Sequence, residues 1–281
     1  MKKVIALSLS ILFLLLCSCQ NSEKKFEDVK QEFSQYTSSN DVALVLDDEV
    51  LYFHDHTLRL KDVLQREDAK FERVNLLNDK IYYVFKEKTA WKPYVLSIGR
   101  CDLDGSNNTI LFEKENVDSD IRVFFNGGTA TVLYFENEVR MALSYDVLTN
   151  THSVSEAAED DAQYQVRSKY KVEEKKGTFY VTDSATQDQA VIDEAFLQNT
   201  PYYDSLKKYD YSAYRASLGD GKILLVYRLN LERFDLFPKG YAMVIFEYRF
   251  DAKELVFMSA LYPYDCEGYY LCYHTRIEEL E

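Results

Sequence analysis

The chain has 281 residues, 28% of them charged, and a formal net charge of −14. That balance repels phosphate backbones and anionic lipid, which argues against nucleic acid as a partner. Acidity of this kind names no positive partner by itself; its ordinary role is to keep a surface soluble.

The first residues read MKKVIALSLSILFLLLCSCQNSEKK. Lys2 and Lys3 precede an apolar run, Val4 to Leu16, that is shorter than the roughly 20 residues a spanning helix needs. This is the form of a secretory signal. Leu16-Cys17-Ser18-Cys19 resembles the lipobox of bacterial lipoproteins, in which a small residue precedes the cysteine that is diacylated and becomes the new N-terminus. The resemblance implies a signal peptide over residues 1–18 and lipidation of Cys19; Cys17 fits poorly because bulky Leu16 stands before it. Two acyl chains hold a protein stably on a membrane. The expected location is therefore exported and lipid-anchored to the bacterial cell membrane or outer membrane. Loss of Lys2 and Lys3 makes the mature chain two charges more negative.

Residues 19–40 are polar and charged, with Phe26, Val29 and Phe33 at helical spacing. They read as the lipidated N-terminus and a tether containing a turn or two of helix that lifts the folded part off the lipid. From residue 41 to 281 the pattern becomes short strands rich in aromatic and β-branched residues, bounded by Asp, Asn and Gly. Five runs share one form, a polar turn followed by a strand: DDEVLYFHD at Asp47, NDKIYYVFK at Asn78, NGGTATVLYF at Asn126, KKGTFYVTD at Lys175 and GDGKILLVY at Gly219. Their spacing falls mostly near the roughly 40 to 50 residues of a four-stranded propeller blade. The 23 tyrosines suit half-buried strands, because the ring packs while the hydroxyl reaches water.

Within the first run, FHDH places His54 and His56 on one face of a strand, a spacing that metal sites use. No third ligand is identifiable, and a solvent-facing pair is the preferred reading. Trp91, the only tryptophan, lies in a loop between two strands and is the candidate partner-binding anchor; covering a blade edge is the plainer role for it.

The stretch RCDLDGSNNTILFE, Arg100 to Glu113, alternates acidic and amide residues as a calcium loop does. A loop of the EF type starting at Asp102 would find Glu113 at its twelfth position, but Asn107 stands where the sixth-position glycine is required. As a hairpin the same residues are consistent throughout. Gly99 supplies a bulge, Asp104-Gly105 supplies turn chemistry, and Thr109 to Phe112 return as the next strand. This segment, IGRCDLDGSNNTILF preceded by DKIYYVF, is similar to the blade repeat of TolB-like β-propellers and of exported lipoproteins built on it. The resemblance covers about one blade, Asn78 to Phe112, and implies a propeller whose use is binding; it transfers no catalytic residue. LTNTHSV and FDAKELVF occupy similar turns without the motif.

Further along, Thr186 to Tyr209 is the one long helix-compatible stretch, and Pro201 divides it. The last block reads as four successive strands, Lys222–Asn230, Tyr241–Phe250, Leu255–Tyr262 and Tyr269–Arg276, forming one meander. Within it DCEGYYLC offers either a disulfide between Cys266 and Cys272 or two buried thiols. No CxxC, HExxH, GxSxG, Walker or GxGxxG motif occurs, and carboxylate pairs such as Asp160-Asp161 are too numerous to single out one as acid and base.

The expected fold is all-β, a propeller-like array of five or six four-stranded antiparallel blades. The expected function is a non-catalytic binding or scaffolding module at the cell envelope, with an envelope protein or glycan as partner. The alternative is a glycan-acting enzyme with an acidic site in a central propeller cavity. No catalytic residue, cofactor or metal ligand is assigned.

Overall fold

The computed structural model describes residues 25–37, 42–88, 94–164, 168–219, 222–231, 241–262 and 269–275. It is mostly β, and among the described residues its strands pair antiparallel with one short parallel exception. The described residues fall into two compact units where the sequence reads as a single domain: one within Asn40–Ser168 and Glu267–Glu281, the other within Met1–Ser39, Lys169–Leu218 and Lys222–Cys266.

The first unit contains β1 (Val42–Leu46), β2 (Val50–Tyr52), β3 (Thr57–Arg59), α2 (Leu60–Leu64), β4 (Lys70–Leu77), β5 (Lys80–Lys88), β6 (Tyr94–Asp102) and β7 (Thr109–Val117). With β19 (Tyr269–Thr275) these strands form an eight-stranded sheet in the order β3-β2-β1-β19-β4-β5-β6-β7. β19 lies antiparallel along all of β1, whereas it meets β4 only at His274↔Leu76 and Thr275↔Leu77, in parallel. A second sheet of the unit, β8 (Arg122–Asn126), β9 (Thr129–Glu136), β10 (Val139–Asp146) and β11 (Thr151–Glu156), runs in the order β11-β10-β9-β8.

The other unit begins with α1 (residues 25–33). It continues with β12 (Tyr170–Lys175), β13 (Thr178–Asp183) and β14 (Gln189–Ile192), a three-stranded sheet, and with α3 (Glu194–Leu197) and α4 (Tyr203–Lys207). Its four-stranded sheet is β15 (Asp210–Gly219), β16 (Lys222–Asn230), β17 (Tyr241–Arg249) and β18 (Glu254–Leu261), in chain order. The last meander thus differs from the sequence reading in one strand. Its fourth member is β15, which precedes β16, while the Tyr269–Thr275 strand pairs with β1 instead. The helix-compatible stretch supplies only two short helices either side of Pro201, and its start is strand β14. Gln189 to Ile192 hydrogen-bond to β13, and that ladder outweighs a helix propensity never strong enough to stand alone.

Two-residue turns set the register of the hairpins. Asn78-Asp79, Asn137-Glu138 and Lys176-Gly177 each join paired strands with positive φ at both residues (48° and 58°, 52° and 66°, 53° and 80°). Such turns twist in the same sense as the strands they join. A second device recurs before the last strand of three sheets. Asp146 Oδ1 accepts from the backbone N–H of Leu148 and Thr149, and Asp183 Oδ1 accepts from Ala185 and Thr186. In the Asp102 hairpin, Asp104 Oδ1 accepts from Ser106 N, and Asp102 accepts from the side chain of Asn107. Each loop then closes on a positive-φ residue, Asn107, Asn150 or Gln187. The DLDGSN motif and the LTNT turn are therefore one structural solution written in different residues, because any short side-chain acceptor at the strand end can start such a loop.

The tether assigned to residues 19–40 is in part a core element. Phe26, Val29 and Phe33, at 8%, 0% and 2% exposure, lie in the hydrophobic core of the second unit. Phe26 stacks on Tyr262 at 5.0 Å between centroids and Phe33 on Phe257 at 5.5 Å. Polar contacts surround these anchors: Glu32 accepts from Ser205 Oγ at 2.7 Å and pairs with Lys208, and Tyr36 Oη donates to Pro201 O at 2.8 Å. Three apolar residues on one stripe of a helix are worth more buried than solvated, roughly 1.5–3 kcal/mol for each large side chain, which explains the docking. Residues 1–24, which include the stretch read from sequence as a signal peptide and Cys19, lie outside the described residues.

Candidate functional site

The β8-β9-β10 sheet has two chemically different faces. Ala130, Val132 and Tyr134 of β9 point into a hydrophobic core with Leu143 and Tyr145 of β10. By the alternation of strand side chains, Leu133 and Phe135 point the other way. The turns then decide what stands beside them. Arg122 of β8 is the register partner of Leu133, and Arg140 of β10 is the partner of Phe135. Two arginines therefore border an apolar floor on the face away from the core.

Residues 157–164 fold back over this face as a strap. Ala157 N donates to Arg140 O at 2.9 Å, and Ala158 N donates to Tyr164 Oη at 3.1 Å. Arg140 Nη1 donates to Ala158 O at 2.8 Å and to Glu159 O at 3.0 Å, while its Nη2 donates to Asp161 Oδ1. Arg122 Nη1 donates to the other oxygen, Asp161 Oδ2. Asp160 accepts from Ala162 N at 2.9 Å and starts a short 3-10 turn, Asp161–Gln163, which aims Asp161 at the arginines. The two guanidiniums, Arg140 foremost and then Arg122, hold the Asp161 carboxyl below the usual carboxylate range, against the opposing push of partial burial.

A cleft of about 340 Å³ lies between strap and sheet, lined by Asp120, Arg122, Leu133, Phe135, Arg140 and Asp161 among others. That is at the small end of the range for ligand pockets. Its third wall is the loop between β7 and β8. Asp118 N donates to Phe135 O at 3.2 Å, and Lys86 Nζ donates to Ser119 O at 2.5 Å. Lys86 is buried beneath the loop, with Nζ 2.6 Å from Glu72 Oε1, an ion-pair contact whose angle is not that of a hydrogen bond. Chemically, the site suits holding an anion. Arginine keeps its proton throughout the accessible pH range and offers forked N–H donors that match a carboxylate. The Arg122 side chain is 59% exposed.

The sequence-assigned residues lie elsewhere. Trp91, Cys19 and Cys266 are outside the described residues, and Cys272 is described only as backbone of β19, paired with Ala43. His54 and His56 are in the bend joining β2 to β3 and not on a strand face, because Phe53 N donates to His56 O at 2.8 Å and turns the chain there. The His56 ring lies on Phe53 at 4.6 Å, with Nδ1 2.6 Å from Asp55 Oδ1 and Nε2 2.9 Å from Leu103 O. Among the described residues no group of three or more His, Cys, Asp or Glu is placed to hold a metal ion. The Asp102 loop is a hairpin: its carboxylates accept from its own backbone and side chains and from Lys80. The register shift between Ile98 and Gly99 is the bulge expected there.

Arg122 and Arg140 were not singled out from sequence, and Asp161 was passed over as one acidic loop residue among many. A signal for the arginines was nevertheless present. With turns at Gly127-Gly128 and Asn137-Glu138, counting in twos along the strands puts both on the face of Leu133 and Phe135.

No family model matches the chain, and no curated protein matches it. Among solved structures it is similar to TolB from Acinetobacter baumannii, at 13% identity over 82% of this chain and 65% of that one, with a TM-score of 0.32. It is also similar to the β-propeller domain of the trilobed protease from Pyrococcus furiosus, at 13% identity over 71% of this chain and 58% of that one, TM-score 0.24. A third is a protein described as a putative 6-phosphogluconolactonase from Bacteroides fragilis, at 12% identity over 83% and 70%, TM-score 0.29. The chain spans less than two thirds of the length of the first two. At these TM-scores a likeness carries no argument about site or activity.

Proposed function

We propose that the protein is an exported lipoprotein, anchored through Cys19, whose folded part is a non-catalytic binding module of the cell envelope. We read its sheets as propeller blades: β19 with β1, β2 and β3 as one, β4 to β7 as the next, and the remaining three sheets completing five. The ligand is an envelope glycan carrying an isolated carboxylate. The observation that supports this reading is the convergence of Arg122 and Arg140 over the Leu133 and Phe135 floor. Paired guanidiniums recognise a carboxylate, and an apolar floor suits the less polar face of a sugar ring. The strongly acidic chain works against a polyanion but little against one charge, since attraction and repulsion beyond about 8 Å are screened at physiological salt.

The test is calorimetric titration of the chain from residue 20 with a trisaccharide ending in a hexuronate, and with the same trisaccharide after reduction of its carboxyl to the alcohol. Saturable binding of the acid form only, lost in Arg140→Ala, is the expected result. Equal binding of both forms, or of neither, overturns the reading. The anchor is tested separately: radioactive palmitate should label the full chain and leave Cys19→Ala unlabelled.

A further inference from the structure

We propose that Asp161 is an internal stand-in for the ligand carboxylate, and that the strap of residues 157–164 must give up the arginine pair before the cleft can be filled. The inference rests on the binding reading above and adds to it a built-in competitor that sets affinity. Both oxygens of one carboxylate are engaged, each by a different arginine, so Asp161 takes up the position that a bound carboxylate would need. The strap is poised for this. It runs beyond the last strand of its sheet, and three of its fixings, at Ala158 O, Glu159 O and Asp161, go to the single side chain of Arg140. Its other fixings to the sheet among the described residues include Arg122 to Asp161, the Tyr164 ring stacked on Phe124 of β8 at 6.3 Å, and one backbone bond, Ala157 N to Arg140 O, at the end where it leaves β11. Release of Asp161 would therefore loosen the middle of the segment, between the hinge at Ala157 and the Tyr164 ring on Phe124.

Two opposed roles are separable by substitution. If the strap only covers the sheet face, removing the Asp161 charge weakens the unit and gains nothing. If it competes, removing that charge frees the arginines for a ligand. Asp161→Asn keeps the shape of the side chain and discards its charge. The experiment measures, for the wild-type chain and for D161N, hydrogen exchange of residues 157–164 and calorimetric affinity for the hexuronate-ended trisaccharide. Expected are faster exchange of the strap in unliganded D161N, affinity about tenfold tighter than wild type, and, in wild type, strap exchange that rises when the trisaccharide binds.

Wild-type binding with D161N no tighter, or strap exchange that falls on binding, overturns the competitor and leaves the binding reading standing. Unchanged exchange in unliganded D161N overturns it without reference to any ligand. Absence of binding in both proteins removes the binding reading and the competitor with it. Binding by D161N alone, with none in wild type, likewise removes the binding reading for the native chain and the competitor with it. Should D161N prove poorly folded, the exchange measured on wild type with and without trisaccharide decides by itself.

Discussion

Tyr83 crosses directly over Gly99, its register partner on the neighbouring strand: a Cβ on residue 99 would stand 2.4 Å from the Tyr83 ring. The ring uses that space to reach Asn108 at the far side of the hairpin, to which its hydroxyl donates. One glycine thus couples the bulge of β6 to the loop that follows it. Gly99→Ala is expected to lower stability by roughly 1–3 kcal/mol, the cost of overpacking a filled site. Tyr83→Phe, which keeps the ring and loses the bond, should cost about 1 kcal/mol. Urea unfolding at constant m-value measures both, and an unchanged midpoint for Gly99→Ala would show that the two strands are not so tightly packed.

The strand-end aspartates predict the acid limb of stability. Asp146 is held below the ordinary carboxylate range first by the N–H of Thr149 and then by that of Leu148, and Asp183 likewise by Ala185 and Thr186. A folded pKa below the unfolded one gives stability that is fully present above the unfolded value, about 3.9, and is lost as pH falls through the folded value. Asp146→Asn should therefore be less stable than wild type at pH 7, with the gap narrowing from about pH 4 downward. Denaturation midpoints taken across that range check it; a gap that widens in acid would refute the linkage.

The docking of α1 is testable apart from any function. Phe33 is 2% exposed and packs on Phe257. Phe33→Ala should cost about 3–5 kcal/mol, as truncation of a buried aromatic does, whereas a side chain in a free tether would cost almost nothing. Thermal unfolding separates the two, and exposed Gln31→Ala on the same helix serves as the control that should move little.

Much of the local structure was legible because it rests on short-range chemistry. The Asp104-Gly105 turn, the Gly99 bulge and the strand at Lys222–Asn230 each follow from a few adjacent residues. What sequence did not disclose were pairings across long separations. Nothing local in Tyr269–Thr275 distinguishes a partner on β1, more than 200 residues away, from one on β18 next door. Phe26, Val29 and Phe33 announced a helix face but not what would cover it. The cleft was hidden for a different reason. Arg122 and Arg140 are ordinary surface arginines until the register of two hairpins places them on one face, and Asp161 gains meaning only when the chain after β11 turns back over that face.

Lys86 links the core of the first unit to the cleft. It is buried, it contacts Glu72, and it holds the backbone of Ser119 beside the cleft-lining Asp120. Removing one member of a buried ion pair leaves the other charge stranded, at a cost of about 3–5 kcal/mol, while replacing both members by groups of similar volume is often neutral. Lys86→Met alone should therefore destabilise strongly, and Lys86→Met with Glu72→Leu should recover most of the loss. The recovery is expected to be incomplete in one place. The double variant still lacks the donor for Ser119 O, so hydrogen exchange at residues 118–121 should stay fast after global stability has returned. Slow exchange there in the double variant would mean that the loop is held by its own contacts, Asp118 N to Phe135 O among them, and that Lys86 serves the core alone.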